Sequence, residues 1–217
     1  MTKAIKQRII MNGGLFKAND NISEHLVDGD IDKIRNNVKE AVVNLLDALI
    51  IDVDNDHNTN ETAKRVAKMY VDEIFKGRYQ ARPMITKFPN SKQLDEIYTV
   101  GPITIRSMCS HHFVPIIGKV WVGIIPSNEL MGLSKFNRIV DWVGSRPQIQ
   151  EETVVQIADE IESLIKPKAL GVIMKANHMC MTLRGVKDND CSMTTSVMRG
   201  LFFENNNARQ ELLSLIR

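Results

Sequence analysis

Beyond residue 30, apolar side chains recur at Ile31, Ile34, Val38, Ala41, Val42, Leu45, Leu46 and Leu49, with polar and charged residues between them. Steps of three and four put these on one side of a helix, so the spacing predicts an amphipathic helix with Asp30 as its N-cap. The polar run 52–60 reads as a loop and supplies Thr59 and Asn60 as caps for a second helix. That helix runs through Val66, Met69, Tyr70 and Ile74 and is closed by Gly77. Residues 1–30 show little sustained period and carry the breakers Gly13-Gly14 and Asp28-Gly29-Asp30. Residues 78–95, with two prolines, read as a linker.

Past this point the period changes. Residues 97–105 and 113–125 are rich in β-branched and aromatic side chains and predict two strands, the second ended by Pro126. Ser134 is placed to cap a helix through Phe136, Ile139, Val140 and Val143, which Pro147 stops. A longer helix follows, with Val154, Ile157, Ile161, Leu164 and Ile165 on one face. Residues 169–186 and 192–203 read as strands, and 205–216 as a terminal helix. The expected fold is α+β: an antiparallel four-stranded sheet with two helices on one face, in strand-strand-helix-helix-strand-strand order, behind a helical N-terminal segment. Three segments follow: 1–30 as an extension, 31–95 as helices and linker, and 96–217 as the sheet domain with its terminal helix. Its sheet edges need covering or pairing with another subunit, so a homo-oligomer is expected.

Composition narrows the function. At 217 residues, 43% hydrophobic and 25% charged, the chain can bury a substantial core. A net charge of +2 argues against nucleic acid or an anionic membrane as partner. No apolar run approaches the ~20 residues that span a bilayer, and the opening Met1-Thr2-Lys3-Ala4 lacks a signal-peptide core. Three cysteines, an odd number, two of them beside histidine, point to a reducing cytoplasm.

The chemistry is concentrated in Cys109-Ser110-His111-His112 and His178-Met179-Cys180, which hold three of the five histidines and two of the three cysteines. Two thiolates and up to three imidazoles suit zinc better than a disulfide. Four ligands would make a closed structural site; three would leave a position open for catalysis and free histidines as proton carriers. The spacing leaves His111 and His112 as alternatives. Strand alternation over 172–184 would set Val172, Met174, Ala176, His178, Cys180, Thr182 and Arg184 on one face. Ile173, Met179, Met181 and Leu183 would pack on the helices from the other. At a rise of roughly 6.6–6.8 Å per two residues, Arg184 would lie about 13 Å beyond Cys180, a span for an elongated anion. Cys191, past a polar turn, reads as an ordinary free thiol.

An anion end is also present. Gly132-Leu133-Ser134-Lys135 opens a helix, where unpaired N–H groups attract negative charge, and Lys135 and Arg138 follow on nearby surface. With Arg184 they make three cations suited to a polyphosphate. Gln148-Ile149-Gln150-Glu151-Glu152 begins the next helix; Glu152 there is an ordinary dipole complement, while a buried Glu151 would be able to accept paired N–H groups from a base such as guanine.

These segments, with Phe113, Gly132 to Arg138, Arg146-Pro147-Gln148-Ile149-Gln150-Glu151, Arg184-Gly185 and Arg65-Val66-Ala67-Lys68-Met69-Tyr70, resemble GTP cyclohydrolase I in order and content. The resemblance runs from about residue 31 to the end. It implies a tunnelling fold, in which sheets of several subunits close into a barrel, usually as a homodecamer with sites at subunit interfaces. It further implies Zn2+ held by Cys109, His112 and Cys180, with His111 and His178 transferring protons and Ser134 in the catalytic set. Gln150 and Glu151 would hold guanine, while Ser134, Lys135, Arg138, Arg184 and Arg65, the last from a neighbouring subunit, would face ribose and triphosphate. The implied reaction takes GTP to 7,8-dihydroneopterin triphosphate and formate, a first step toward folate, other pterins or 7-deazapurines. Ser110 stands where the family usually has an acidic residue, 191–200 departs from its threonine-rich stretch, and Glu61-Thr62-Ala63 lacks its frequent proline. Two enzymes of the same fold fit worse: a nitrile reductase needs no zinc triad, and a pyruvoyl-pterin synthase needs three histidines. From another class, a closed Cys2His2 module would use His178 as its fourth ligand.

Overall fold

Helix α1 (Lys3–Met11) stands where the sequence shows no sustained period, because two residues one turn apart, Ile5 and Ile9, carry its burial. The computed structural model describes residues 2–216 and divides the chain into two units, Met1–Ala81 and Arg82–Arg217.

In the first unit, α1 is followed by a short turn at Ser23–His25, then α2 (Asp30–Ala48), α3 (Thr62–Lys68), a π-helical turn at Met69–Ile74, and α4 (Lys76–Tyr79). Its core joins Ile5, Ile9, Ile22, Ile34 and Val71. Asp30 is not the N-cap of α2. Gly29 holds that place at φ 82°, in the left-handed region, and Asp30 is the first helical residue, 1% exposed. Its carboxylate accepts from the Val27 amide at 3.1 Å, from Lys33 Nζ at 3.1 Å and from Arg8 Nη2, while Arg8 Nε donates to the His25 carbonyl at 2.7 Å. One buried carboxylate thus fastens α1 to the start of α2. Burial alone would push Asp30 up, but the Val27 amide, Lys33 and Arg8 outweigh it and hold the carboxyl below its usual range. Arg35 makes a paired bond to Asp72, at 2.9 and 2.8 Å, between α2 and the π turn.

The second predicted helix is broken. Glu61 sits at the N-cap of α3, where Thr59 and Asn60 were expected, and Thr59 bonds to Asp56 instead. The buried stripe is Ala63, Ala67, Val71 and Phe75 rather than Val66, Met69, Tyr70 and Ile74, which are only partly covered. Small alanines let the helix approach closely, a preference that a count of large apolar residues does not register.

The second unit contains β1 (Lys87–Pro89), β2 (Tyr98–Cys109), β3 (Pro115–Ile125), β4 (Glu129–Met131), α5 (Leu133–Gly144), β5 (Pro147–Gln148) and α6 (Gln150–Ile165). After these come β6 (Ala169–His178), α7 (Met179–Thr182), β7 (Met193–Gly200), α8 (Leu201–Glu204) and α9 (Asn206–Leu215). The architecture is α+β. The main sheet has the order β5-β2-β3-β6-β7; the four long strands pair antiparallel, and the two-residue β5 adds a parallel partner to β2. The sheet is therefore mixed and five-stranded rather than purely antiparallel and four-stranded. β1, inside the stretch read as a linker, pairs with β4, which follows β3, as a separate two-stranded ribbon. Pro102, which cannot donate to a ladder, sits where the β2–β3 register shifts between Val100 and Ile103.

The core confirms the two helical stripes. Phe136, Ile139, Val140 and Val143 of α5 and Val154, Ile157, Ile161 and Ile165 of α6 pack with Ile105, Val120, Val122, Val172 and Met174 from the sheet. Gly132, not Ser134, occupies the N-cap of α5; Ser134 lies in the first turn, exposed. Asn205 caps α9, its side chain accepting from the amides of Asn207 and Ala208. Among the described residues no helix is long and apolar enough to cross a membrane.

Candidate metal centre and active site

The centre is built where two strands stop. β2 ends at Cys109, and a tight turn leads to β3: Cys109 N donates to the Val114 carbonyl and Phe113 N to the Cys109 carbonyl, both at 2.9 Å, with Phe113 at φ 52°. The turn leaves Cys109 buried and sends His111 and His112 into solvent. Across β3, His178 lies opposite Ile116 at the end of β6. There the strand ceases. Met179 to Thr182 form a helical turn, so Cys180, Thr182 and Arg184 do not continue the face of His178, and the expected row of side chains does not exist. Met179 and Met181 are half-buried rather than core.

The helical turn draws the distant thiol inward. Ligand atoms of Cys109, His112 and Cys180 all lie within 4.8 Å of one another. Zinc bonds of about 2.0–2.3 Å in a tetrahedron separate ligands by about 3.3–3.8 Å, so small side-chain rotations close this group on an ion. Two thiols and an imidazole without a carboxylate are the donor set for zinc rather than magnesium or calcium. Cys109 Sγ is 4.0 Å from His112 Nδ1 and 3.8 Å from His111 Nδ1. Burial, then the neighbouring Cys109, push the Cys180 thiol above its ordinary value. Arg184 Nη1 stands 3.4 Å from His112 Nε2, so the turn also carries the guanidinium back beside the cluster instead of extending it away along a strand.

His178 belongs to a second group. Its Nε2 lies 2.8 Å from Oε1 of Gln150, the first residue of α6. Gln150 is fully buried, and its Nε2 donates toward the Met174 carbonyl, the Met193 carbonyl and Thr195 Oγ1, at 3.1, 3.1 and 3.0 Å. Thr195 was not singled out by the sequence; only strand pairing reveals that it lies opposite Met174. Burial lowers the pKa of His178, and the Glu151 carboxylate partly opposes that. Glu151 itself is exposed, in the first turn of α6.

The other cations named from the sequence lie on helices. Lys135 and Arg138 project from the first turns of α5, half-buried and exposed respectively, while the residue after each, Phe136 and Ile139, enters the core. Arg65, on α3 of the first unit, is exposed, with Glu61 at 3.9 Å. Cys191 is an unbridged, half-buried cysteine.

Comparison with known proteins agrees with this chemistry. The family model described as GTP cyclohydrolase I matches residues 38–217. The chain is 37% identical over 220 residues to GTP cyclohydrolase 1 of Serratia proteamaculans, covering 100% of this chain and 98% of that protein. It is 41% identical over 193 residues to the Pectobacterium carotovorum enzyme of the same name, covering 88% and 86%. With the Enterobacter sp. enzyme it shares 44% over 163 residues, covering 75% and 73%.

Proposed function

Since the chain belongs to the GTP cyclohydrolase I family, which converts GTP to dihydroneopterin triphosphate, we propose that Cys109, His112 and Cys180 hold a zinc ion at which the guanine ring is opened. The observation that carries this reading is the convergence of those three ligand atoms from two strand ends far apart in sequence. When bound there, zinc polarises water and brings its pKa toward ~7, where a nucleophile exists at neutral pH. The protein's own groups do the rest. His111 and His178, off the metal, take up and return protons as water adds to C8 and the imidazole ring of guanine opens. A second water releases formate, the ribose rearranges, and its closure onto the freed amine expels water to give 7,8-dihydroneopterin triphosphate. Glu151 is exposed, so its burial does not single it out, and it is the family resemblance that supports it as the acceptor of the paired N–H groups of guanine. Ser134, Lys135, Arg138 and Arg184 hold ribose and triphosphate, and Arg65 adds a cation from a neighbouring subunit.

The same reading makes the protein a cytoplasmic homo-oligomer of the tunnelling fold, with sheets from several subunits closed into a barrel, and a decamer in the family's usual form. The free outer edge of β7 supports this: a strand of eight residues at the end of the sheet order offers a row of ladder groups.

The test is to incubate protein of measured zinc content with GTP and follow formate and the oxidised, fluorescent pterin. Equal release of both carries the proposal. A folded, zinc-loaded protein that produces neither would overturn it. A closed Cys2His2 centre would need His178 as its fourth ligand, whereas among the described residues the ligand atoms that converge are those of Cys109, His112 and Cys180 without it.

A further inference from the structure

We propose that Gln150 is a positioning residue which fixes His178 as the Nε2–H tautomer and leaves Nδ1 as the ring nitrogen that exchanges a proton. The inference follows from which groups can donate. Carbonyl oxygens only accept, so the two that flank one end of the Gln150 amide, from Met174 and Met193, require its NH2 on that side. Reversing the amide would set oxygen against two carbonyl oxygens at 3.1 Å and remove the donor that faces both of them. The orientation is therefore dictated by strands β6 and β7, and Oε1 must be the atom that faces His178.

Oε1 in turn can only accept. His178 Nε2, 2.8 Å away, must carry the proton, and in the neutral ring the lone pair is then on Nδ1. Full burial of Gln150 keeps water from competing for any of these bonds. Its two amide protons are shared among three acceptors and its oxygen accepts from His178, so both ends of the buried side chain are engaged within the protein. Gln150 thus acts through His178. This rests on the reading of His178 as a proton carrier in the proposed reaction.

The experiment is magic-angle-spinning 15N NMR on zinc-loaded, full-length protein labelled at histidine. His178→Gln identifies the signals by difference, at a pH where the ring is neutral. A protonated Nε2 and an unprotonated Nδ1 are expected without any substrate present. The opposite tautomer in the wild type would overturn the proposal. Gln150→Leu should release the ring to a mixture of tautomers and lower kcat by about 10–100-fold, with KM for GTP shifted less. Gln150→Glu, protonated in that buried place, keeps an acceptor toward His178 and a donor toward the strands, and should restore the Nε2–H form. A Gln150→Leu protein with unchanged tautomer and a raised KM at full kcat would instead assign Gln150 to the base and sink the inference. The NMR reading needs no turnover, so its failure is distinct from failure to open GTP.

Discussion

At the scale of the residue, the ligand types were legible and their directions were not. Cys109, His112 and Cys180 offer zinc chemistry from sequence alone, but strand alternation sent Cys180 and Arg184 outward along a face that ends at His178. The signal that the strand stops is tertiary: β3 begins at Pro115, and its paired register with β6 runs no further than Ile116 opposite His178. Cys180→Ala should abolish stoichiometric zinc, measured by elemental analysis on protein that still folds. His178→Ala should keep its zinc and lose about 10²–10⁴ in kcat, the usual worth of a positioned acid–base group. Zinc lost from the His178 variant would instead favour the closed four-ligand centre. Gln150 shows the other limit of sequence. Nothing in Gln148-Ile149-Gln150 distinguishes one glutamine from the other, yet Gln148 donates to the Val143 carbonyl at 2.7 Å and Gln150 reaches the strand carbonyls and His178.

At the scale of the element, the helices with large apolar residues on one stripe were read well. α5 and α6 bury the side chains their spacing selected, because those residues meet a sheet that accepts them along the full helix. α1 was missed since a nine-residue helix needs only two buried positions, and tertiary ties complete it. The strongest of these is Asp30. Its replacement by alanine leaves the Val27 amide and Arg8 Nη2 without this acceptor and should cost about 1–3 kcal/mol in urea unfolding. The pH dependence has a definite sign. Asp30 titrates lower in the folded chain than in the unfolded one, so its contribution is complete above the ordinary carboxylate value and is lost as pH falls through the depressed one. The stability gap between wild type and Asp30→Asn should shrink over that acidic window and be flat above it; a gap that widens in acid would contradict the assignment. A sharper local test lies at the β7–α8 junction. Gly200 has φ 56°, and a Cβ there would meet the Lys168 carbonyl oxygen at 2.2 Å. Gly200→Ala must shift backbone, and should lower the thermal midpoint more than an alanine at exposed Gly13, where φ is also positive but nothing lies within 4 Å.

At the scale of the whole molecule, the chain presents surfaces that one copy does not cover. α2 was predicted as amphipathic, yet Leu45 and Leu49 of its stripe are 56% and 60% exposed, while Ile34 and Leu46 are buried. Periodicity reports that a face is apolar; it does not say whether the same chain or another one buries it. The proposed oligomer would cover such faces and would let Arg65 of one subunit serve a triphosphate bound to the next. That arrangement makes a prediction independent of any single variant's stability. Arg65→Ala and His178→Ala should each be nearly inactive alone. Co-expressed with different tags and purified through both, they should recover activity, since a site formed by the first variant's His178 and the second variant's Arg65 lacks nothing. Random assembly at equal ratio makes roughly a quarter of such sites complete. If Arg65 instead served the site of its own chain, every site would lack one of the two residues, and the mixed oligomer would stay at the level of the separate variants.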